Sequence, residues 1–255
     1  MNQFEMIIKS ILLVLLYVAL SVAYANEESL TSPEEKILGS EVFTPYIATY
    51  QVLRNDKDIG RAKRVLEKVN ANEFRLTINS EASLFFYSFE NSEESIFTKV
   101  NEQIAVQKYS YWDKRTFKSK NTIKQLFDWQ TMLETGTKNQ KNWQRTFKEG
   151  SYDTLNYILR LRQDLSQGKT DTYVYQVNDE GKEETYTLRY EGLTEVGTQA
   201  LGKLPCHQVT RFRATSTRLT TFCFAPSLDY APIMVRQSKD GEEQAKMLID
   251  SISFQ

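Results

Sequence analysis

From Phe43 onward, apolar and polar residues alternate in short bursts broken by polar turn clusters, the rhythm of hairpin-connected strands of about 8 to 12 residues per repeat. Tyr46–Leu53 is rich in β-branched and aromatic residues, Asn55 to Gly60 is a turn cluster, and Arg61–Val69 returns as a second strand. After a turn at Asn70–Glu73, Phe74–Asn79 alternates strictly, so one face is buried and the other wet. Leu84–Phe89 is a denser aromatic run. Ser95–Val100 and Ile104–Trp112 follow as strands on either side of Asn101 and Glu102, and residues 117–129 hold another that ends in Phe127-Asp128-Trp129. Residues 130–150 are polar and weakly patterned, and read as a long irregular connection.

The period changes once. Leu155, Ile158, Leu159 and Arg162 recur at helical spacing, with Asp153 placed to cap the first turn and Gly168 beyond the end. This predicts a helix over Asp153–Leu165 whose apolar face packs on a sheet. Strands resume at Thr172–Val177 and, after a turn at Asn178–Gly181, at Thr185–Glu191. Residues 192–202 are a connection with a short strand near Thr194–Val196. Leu204–Phe212 and Leu219–Phe224, linked by Arg213–Arg218, form a hairpin. Pro232–Gln237 and Lys246–Phe254 are the last two strands, split by Asp240-Gly241. The fold class expected is all-β with minor α: a curved antiparallel meander sheet or half-open β-barrel with one packed helix, as a single domain over residues 43–255.

The N-terminus decides the compartment. Lys9 precedes an apolar run from Ile11 to Leu20, and Ala23-Tyr24-Ala25 offers small residues where a signal peptidase reads. Residues 1–25 are therefore expected to be a signal peptide cleaved after Ala25, the run being short of the about 20 residues of a membrane span. An uncleaved anchor is the alternative. Residues 26–42 are a polar, flexible lead-in. No cysteine follows the apolar run, which argues against a lipoprotein anchor. The expected location is the periplasm, with no transmembrane anchor after cleavage.

Composition narrows the chemistry. With 32 Lys and Arg against 33 Asp and Glu, the net charge of −1 lacks the basic excess a nucleic-acid binder needs, so no nucleic-acid partner is expected. Cys206 and Cys223, the only two cysteines, sit one on each arm of the same hairpin. In an exported protein they are expected to form a disulfide, closing a loop of about 16 residues worth about 3 kcal/mol. Two buried reduced thiols are the alternative.

Several scattered features together resemble a family of exported bacterial proteins, the domain of unknown function numbered 3108. They are Pro45-Tyr46 with the strand that follows, Ile59-Gly60, Phe127-Asp128-Trp129, the group Asp153, Leu155, Tyr157, Leu161 and Arg162, then Gly202 and Asp229-Tyr230-Ala231-Pro232. The resemblance covers about residues 43 to 254. It marks Gly60, Asp128, Trp129, Asp153, Arg162, Gly202, Asp229 and Pro232 as structural positions. Asp56-Lys57-Asp58 and Phe222-Cys223-Phe224 depart from the family's pattern, which makes the cysteine pair local to this chain's nearer relatives. The resemblance implies a curved all-β sheet and brings no activity with it.

Catalytic and metal chemistry find little support in the residues. His207 is the only histidine, and its neighbour Cys206 points to the opposite face of a strand. One histidine and two separated cysteines do not make a zinc set, and the Asp56, Asp58, Gly60 spacing runs out of oxygen ligands at Ala62 and Arg64. No metal, cofactor or catalytic residue is expected. Asp128, Asp153, Glu191 and Asp229 stand near aromatics and are the candidates for a carboxylate-dependent glycan hydrolase. Lys108–Lys120, KYSYWDKRTFKSK, interleaves basic and aromatic residues; a wet strand face is the simplest reading, and contact with anionic headgroups or cell-wall polymer the alternative.

The aromatic load says more. With 14 Tyr, 14 Phe and 3 Trp, the chain has rings to spare for lining a concave surface, and Phe85, Tyr87, Tyr173, Tyr175, Tyr186 and Tyr190 are the candidate cleft residues. The expected function is non-enzymatic binding of an apolar or amphipathic ligand, a lipid or lipidated peptide. The alternative is an envelope module that docks a protein partner, and a glycan hydrolase comes third.

Overall fold

The computed structural model describes residues 43–100, 103–213 and 216–255. The expected signal peptide and lead-in, residues 1–42, lie outside the described residues, as do Asn101 and Glu102.

The strands are β1 (Tyr46–Arg54), β2 (Lys57–Lys68), β3 (Glu73–Leu84), β4 (Tyr87–Val100), β5 (Gln103–Arg115), β6 (Asn121–Asp128), β7 (Leu133–Lys138) and β8 (Lys141–Thr146). Then come β9 (Tyr152–Asp153), the helix α1 (Tyr157–Ser166), β10 (Thr172–Asp179), β11 (Lys182–Thr198), β12 (Gly202–Arg213), β13 (Ser216–Ala225), β14 (Ala231–Lys239) and β15 (Glu242–Phe254). All 15 strands lie in one sheet, ordered β8-β7-β6-β5-β4-β3-β2-β1-β15-β14-β13-β12-β11-β10-β9. β1 pairs with β2 on one side and β15 on the other, so two meanders run outward from the middle of the sheet. Every pair is antiparallel except the short β9–β10 pair. The sheet is curved and is not closed into a barrel: β8 and β9 are its two edges.

Bulges bend it. Register shifts fall at Thr49/Tyr50, Val52/Leu53, Ile96/Phe97 and Tyr190/Gly192, and each extra residue sharpens local twist. β1 turns Tyr46, Ala48, Tyr50 and Val52 inward and leaves the residues between them half-exposed. Its turn into β2 holds Asn55 and Asp56 at φ 50° and 61°, the left-handed pair of a tight hairpin.

Side chains bring the two edge regions together. Arg145 of β8 reaches the Asn178 side chain and, at 3.2 Å, the Lys182 carbonyl. Lys148 pairs with Glu183 at 2.8 Å, and Lys138 pairs with Glu180. Trp143 lies over Gly136 on β7 and against Gly181 in the β10–β11 turn; a Cβ added to Gly136 would stand 2.1 Å from the indole.

α1 lies inside the curve and is buried on both sides. Leu155, just ahead of it, and Leu159 join a core with Tyr46, Leu66, Leu76 and Phe97, whereas Ile158, Leu161 and Leu165 pack with Tyr175, Leu188, Phe222 and Phe224. Arg162 is also fully buried: Nη2 donates to the Asp229 carbonyl at 2.7 Å and the guanidinium stacks 5.1 Å from the Tyr46 ring centre.

Three expectations are corrected. Residues 130–150 are not an irregular connection, because they contain the β7–β8 hairpin, turned by Asn139 and Gln140 at φ 47° and 72°. The helix starts at Tyr157, not Asp153: Asp153 ends β9, and its carboxylate Oδ1 accepts the Leu155 and Asn156 amides at 2.8 and 2.7 Å, holding a turn before the first helical residue. Thr185–Glu191 and Thr194–Val196 are one strand, β11, bent at Gly192, where φ is 108°.

Candidate functional site

Because strands alternate in direction, the β1–β2, β3–β4, β5–β6, β7–β8, β10–β11 and β14–β15 turns all lie at one end of the curved sheet. α1 and the turn before it fill the other half. Between them a cavity of about 1040 Å³ opens toward the turns. One wall is apolar: Ile59, Ile78, Ala82, Val235 and Met247 come from four strands, β2, β3, β14 and β15. The floor is polar, carrying Arg64, Glu93, Tyr109, Tyr157, Tyr186 and Arg211.

Arg64 is the unusual group. It stands on β2 opposite Ala48 of β1 and Ile78 of β3, and the small Ala48 leaves it room to reach inward. It is only 4 % exposed, yet Nε and Nη2 have no hydrogen-bond partner. Arg211 is better satisfied: its guanidinium lies 4.4 Å from the Tyr186 ring centre and Nη1 donates to the Tyr157 hydroxyl at 3.3 Å. Arg213 and Arg218 line the cavity nearer its mouth.

The acids of the cavity are already engaged. Glu93 accepts the Tyr109 hydroxyl at 2.7 Å and the Thr154 hydroxyl at 3.0 Å, and burial raises its pKa. Asp113 accepts Arg115 at 2.8 Å and Asn121 at 3.1 Å; burial opposes its ionisation, but these donors prevail and its pKa is lowered. Burial also raises Asp179, which accepts the Tyr186 hydroxyl at 3.3 Å.

The residues expected to line a cleft divide. Tyr186 lines the floor, and Phe85 and Tyr87 stand at the mouth, Phe85 being 94 % exposed. Tyr173 and Tyr175 are core residues instead, donating to the Lys169 carbonyl at 2.6 Å and to Asp164 at 2.8 Å. Tyr190 is bonded to His207 Nδ1 at 3.0 Å, and neither lines the cavity.

The hydrolase candidates do not converge. Asp128 accepts the Gln130 amide at 2.9 Å, Asp153 is in the buried turn before α1, Glu191 pairs with Arg189 at 3.0 Å, and Asp229 is left-handed at φ 49°. Asp56 and Asp58, read against a calcium loop, pair with Lys246 at 2.5 Å and Arg61 at 2.6 Å. The other family-like positions are pegs of the fold. A Cβ on Gly60 would meet the Glu81 carbonyl oxygen at 1.9 Å, and Gly202 turns at φ 70°. Trp129 Nε1 donates to the Val106 carbonyl at 2.6 Å, and the Pro232 carbonyl accepts the Tyr50 hydroxyl at 2.8 Å.

Cys206 and Cys223 are free, buried thiols here, and the disulfide expected between them is not formed. The register explains the spacing. Cys223 faces Gln208, so Cys206 is its diagonal neighbour, close enough for the sulfurs to hydrogen-bond. The Cys206 sulfur and burial push the Cys223 thiol far above its ordinary range. Both belong to the first core and not to the cavity lining. Arg64 and Phe86 were not separated from their neighbours in the sequence, although Phe85 was; the signal for Phe86 was the absence of alternation in Leu84–Phe89.

The family model described as "Protein of unknown function (DUF3108)" matches residues 46–250. No curated protein matches the chain. Among solved structures, a beta-barrel-like protein of the domain of unknown function DUF1849 from Brucella abortus is similar, with a TM-score of 0.56 at 8% identity. That likeness covers 84% of this chain and 98% of the other, and it concerns the fold. No helix among the described residues is long and apolar enough to cross a membrane.

Proposed function

The chain belongs to DUF3108, a family of proteins of unknown function, and from that premise we propose that it is a non-enzymatic periplasmic protein that binds an amphipathic ligand, a lipid or lipidated peptide, in the half-open cavity. The apolar wall takes the hydrocarbon and Arg64 takes an acidic end group. Export rests on the apolar run of residues 11–20 and the Ala23-Tyr24-Ala25 step.

One observation carries this reading: Arg64, a nearly fully buried cation with two unpaired donor atoms, lines an open cavity beside its apolar wall, next to Ile78 on the neighbouring strand. Tyr46, Tyr50 and Glu93 support the charge itself, but burying donor atoms without acceptors costs free energy, and a fold retains such atoms where something else completes them. Both atoms are closed to solvent, so a carboxylate or phosphate reaches them as the groups over the guanidinium move aside, and then accepts the N–H groups in pairs, the geometry for which arginine is suited.

The test compares two ligands of equal chain length, laurate and dodecanol, by calorimetry on the purified protein. Laurate should bind roughly tenfold or more tightly than dodecanol, as a charge-assisted hydrogen bond implies. Arg64→Met should erase that difference and leave dodecanol binding unchanged. Absence of binding by both ligands, together with no lipid extractable from protein purified from cells, would refute the reading.

A further inference from the structure

Three phenylalanines stand in solvent at the mouth end of the sheet. Phe85 and Phe86 are the two residues of the β3–β4 turn, 94% and 85% exposed, and Phe117 in the β5–β6 turn is 91% exposed. Single exposed apolar residues are ordinary; three large rings on two adjoining tips are not. The tips are tied together, since the Ser88 amide donates to the Thr116 hydroxyl at 2.7 Å and the Thr116 amide to the Ser88 carbonyl at 3.0 Å.

The backbone adds an independent sign. Phe85 has φ 56° and Phe117 φ 62°, a left-handed conformation that suits glycine or asparagine and strains a bulky side chain. A turn under no constraint but its own stability would not place phenylalanine there. Strained residues of this kind collect where a side chain must be presented.

Charge identifies the partner. Residues 114–120, KRTFKSK, contain no acid, and Lys114, Lys118 and Lys120 are exposed around Phe117. Lys120 stacks 3.9 Å from the Trp112 ring centre. Glu90, beside Glu81, faces Lys114 in the register and offsets it, and Asp113 is turned inward onto Arg115, so the positive excess of the tip sits on Lys118 and Lys120 beside Phe117. Rings that reach past the headgroups, ringed by lysines that stay with the phosphates, match an anionic bilayer surface.

We propose that Phe85, Phe86 and Phe117 insert into an anionic phospholipid surface, with Lys114, Lys118 and Lys120 against its headgroups. Phe85 and Phe86 also border the cavity, so this docking sets the cavity mouth against the lipid. The docking goes beyond the ligand reading and does not depend on it, because it needs no molecule in the cavity.

The test uses the full chain and vesicles of equal parts phosphatidylglycerol and phosphatidylcholine. In a chain carrying F86W, the added indole should be quenched by acyl-brominated lipid. Replacing all three rings, in F85S/F86S/F117S, should weaken partition by roughly tenfold for each ring removed. K114S/K118S/K120S should lower partition into the mixed vesicles but not into phosphatidylcholine alone. Far-ultraviolet dichroism and melting check that each variant folds. An unquenched indole in vesicle-bound F86W overturns the proposal, as does equal partition of the wild type and the triple phenylalanine variant. A dimer that F85S/F86S/F117S dissociates, without vesicle binding by either, also overturns it and gives the face to a second copy.

Discussion

Ser95 Oγ on β4 donates to Asp153 Oδ2 at 2.5 Å, and both residues are fully buried. Burial raises the Asp153 pKa to about 7 against the opposing effect of its hydrogen bonds. A carboxyl raised in the fold stays protonated after the unfolded chain has ionised. Its contribution is complete below the unfolded value of 3.8 and is lost as pH rises through about 7. Stability should therefore fall by about 1.4 kcal/mol per pH unit across that window, or about 4 kcal/mol in all, from this residue. Burial raises Glu93 and Asp179 in the same sense, while it lowers His207, which acts oppositely. Asp153→Asn, which keeps the acceptor for the Leu155 and Asn156 amides, should flatten the profile. Urea melts of both proteins at pH 5 and pH 8 measure the difference; parallel profiles would contradict the assignment.

The seam between the two edge regions should be costly to break. Glu134 on β7 is 0% exposed, and its Oε1 accepts Gln125 and Trp143 at 2.8 Å each. Arg145 Nη2 lies 2.6 Å from Oε2, an ion pair by distance although the contact does not have hydrogen-bond geometry. Arg145→Met leaves a buried carboxylate without its cation and should destabilise by about 3 to 5 kcal/mol. Adding Glu134→Gln should recover much of that loss, because no charge is then stranded. A double variant no more stable than Arg145→Met would show that the guanidinium works through Asn178 and Lys182 instead.

These two sites show what the chain discloses in its order of residues. β1 was legible because Tyr46, Ala48, Tyr50 and Val52 face one core, and α1 because Leu155, Ile158 and Leu159 repeat at its period. β7 and β8 were not, since their inward positions hold Glu134, Gly136 and Arg145, whose burial depends on partners far along the chain. Phe85 looked like a wall residue because its turn with Phe86 contains no glycine, asparagine or proline to announce it. Arg64 resembles any strand arginine. Its inward direction follows from pairing opposite Ala48, with the bulge at Val52/Leu53 beyond that pair, and neither can be read locally.

The cysteine pair offers a redox prediction. In an oxidising compartment the two neighbouring thiols should close to a disulfide, and oxidised protein should exceed the Cys206→Ala variant in stability by about 2 to 4 kcal/mol. The diagonal register draws the real value toward the lower end, since closure must pull the strands slightly out of line. Intact mass under non-reducing conditions, with melts taken with and without reductant, checks this. An intact mass showing two free thiols in protein held under oxidising conditions would rule it out.

Arg64 should carry opposite effects on stability and binding. Arg64 is held by Tyr46 and by the field of Tyr50 and Glu93, but the unpartnered Nε and Nη2 still cost the fold free energy that these contacts do not return. Methionine fits the same corridor beside Ala48 and Ile78 without charge. Arg64→Met should therefore raise stability by about 1 to 4 kcal/mol while abolishing the preference for an acidic amphiphile. Arg64→Lys should retain part of that preference and none of the stability gain, because it keeps the charge and loses the paired donors. Guanidinium melts beside laurate and dodecanol titrations separate the cases. If Arg64→Met melts earlier than wild type, the arginine is a structural strut, and the floor of the cavity is not built for an anion.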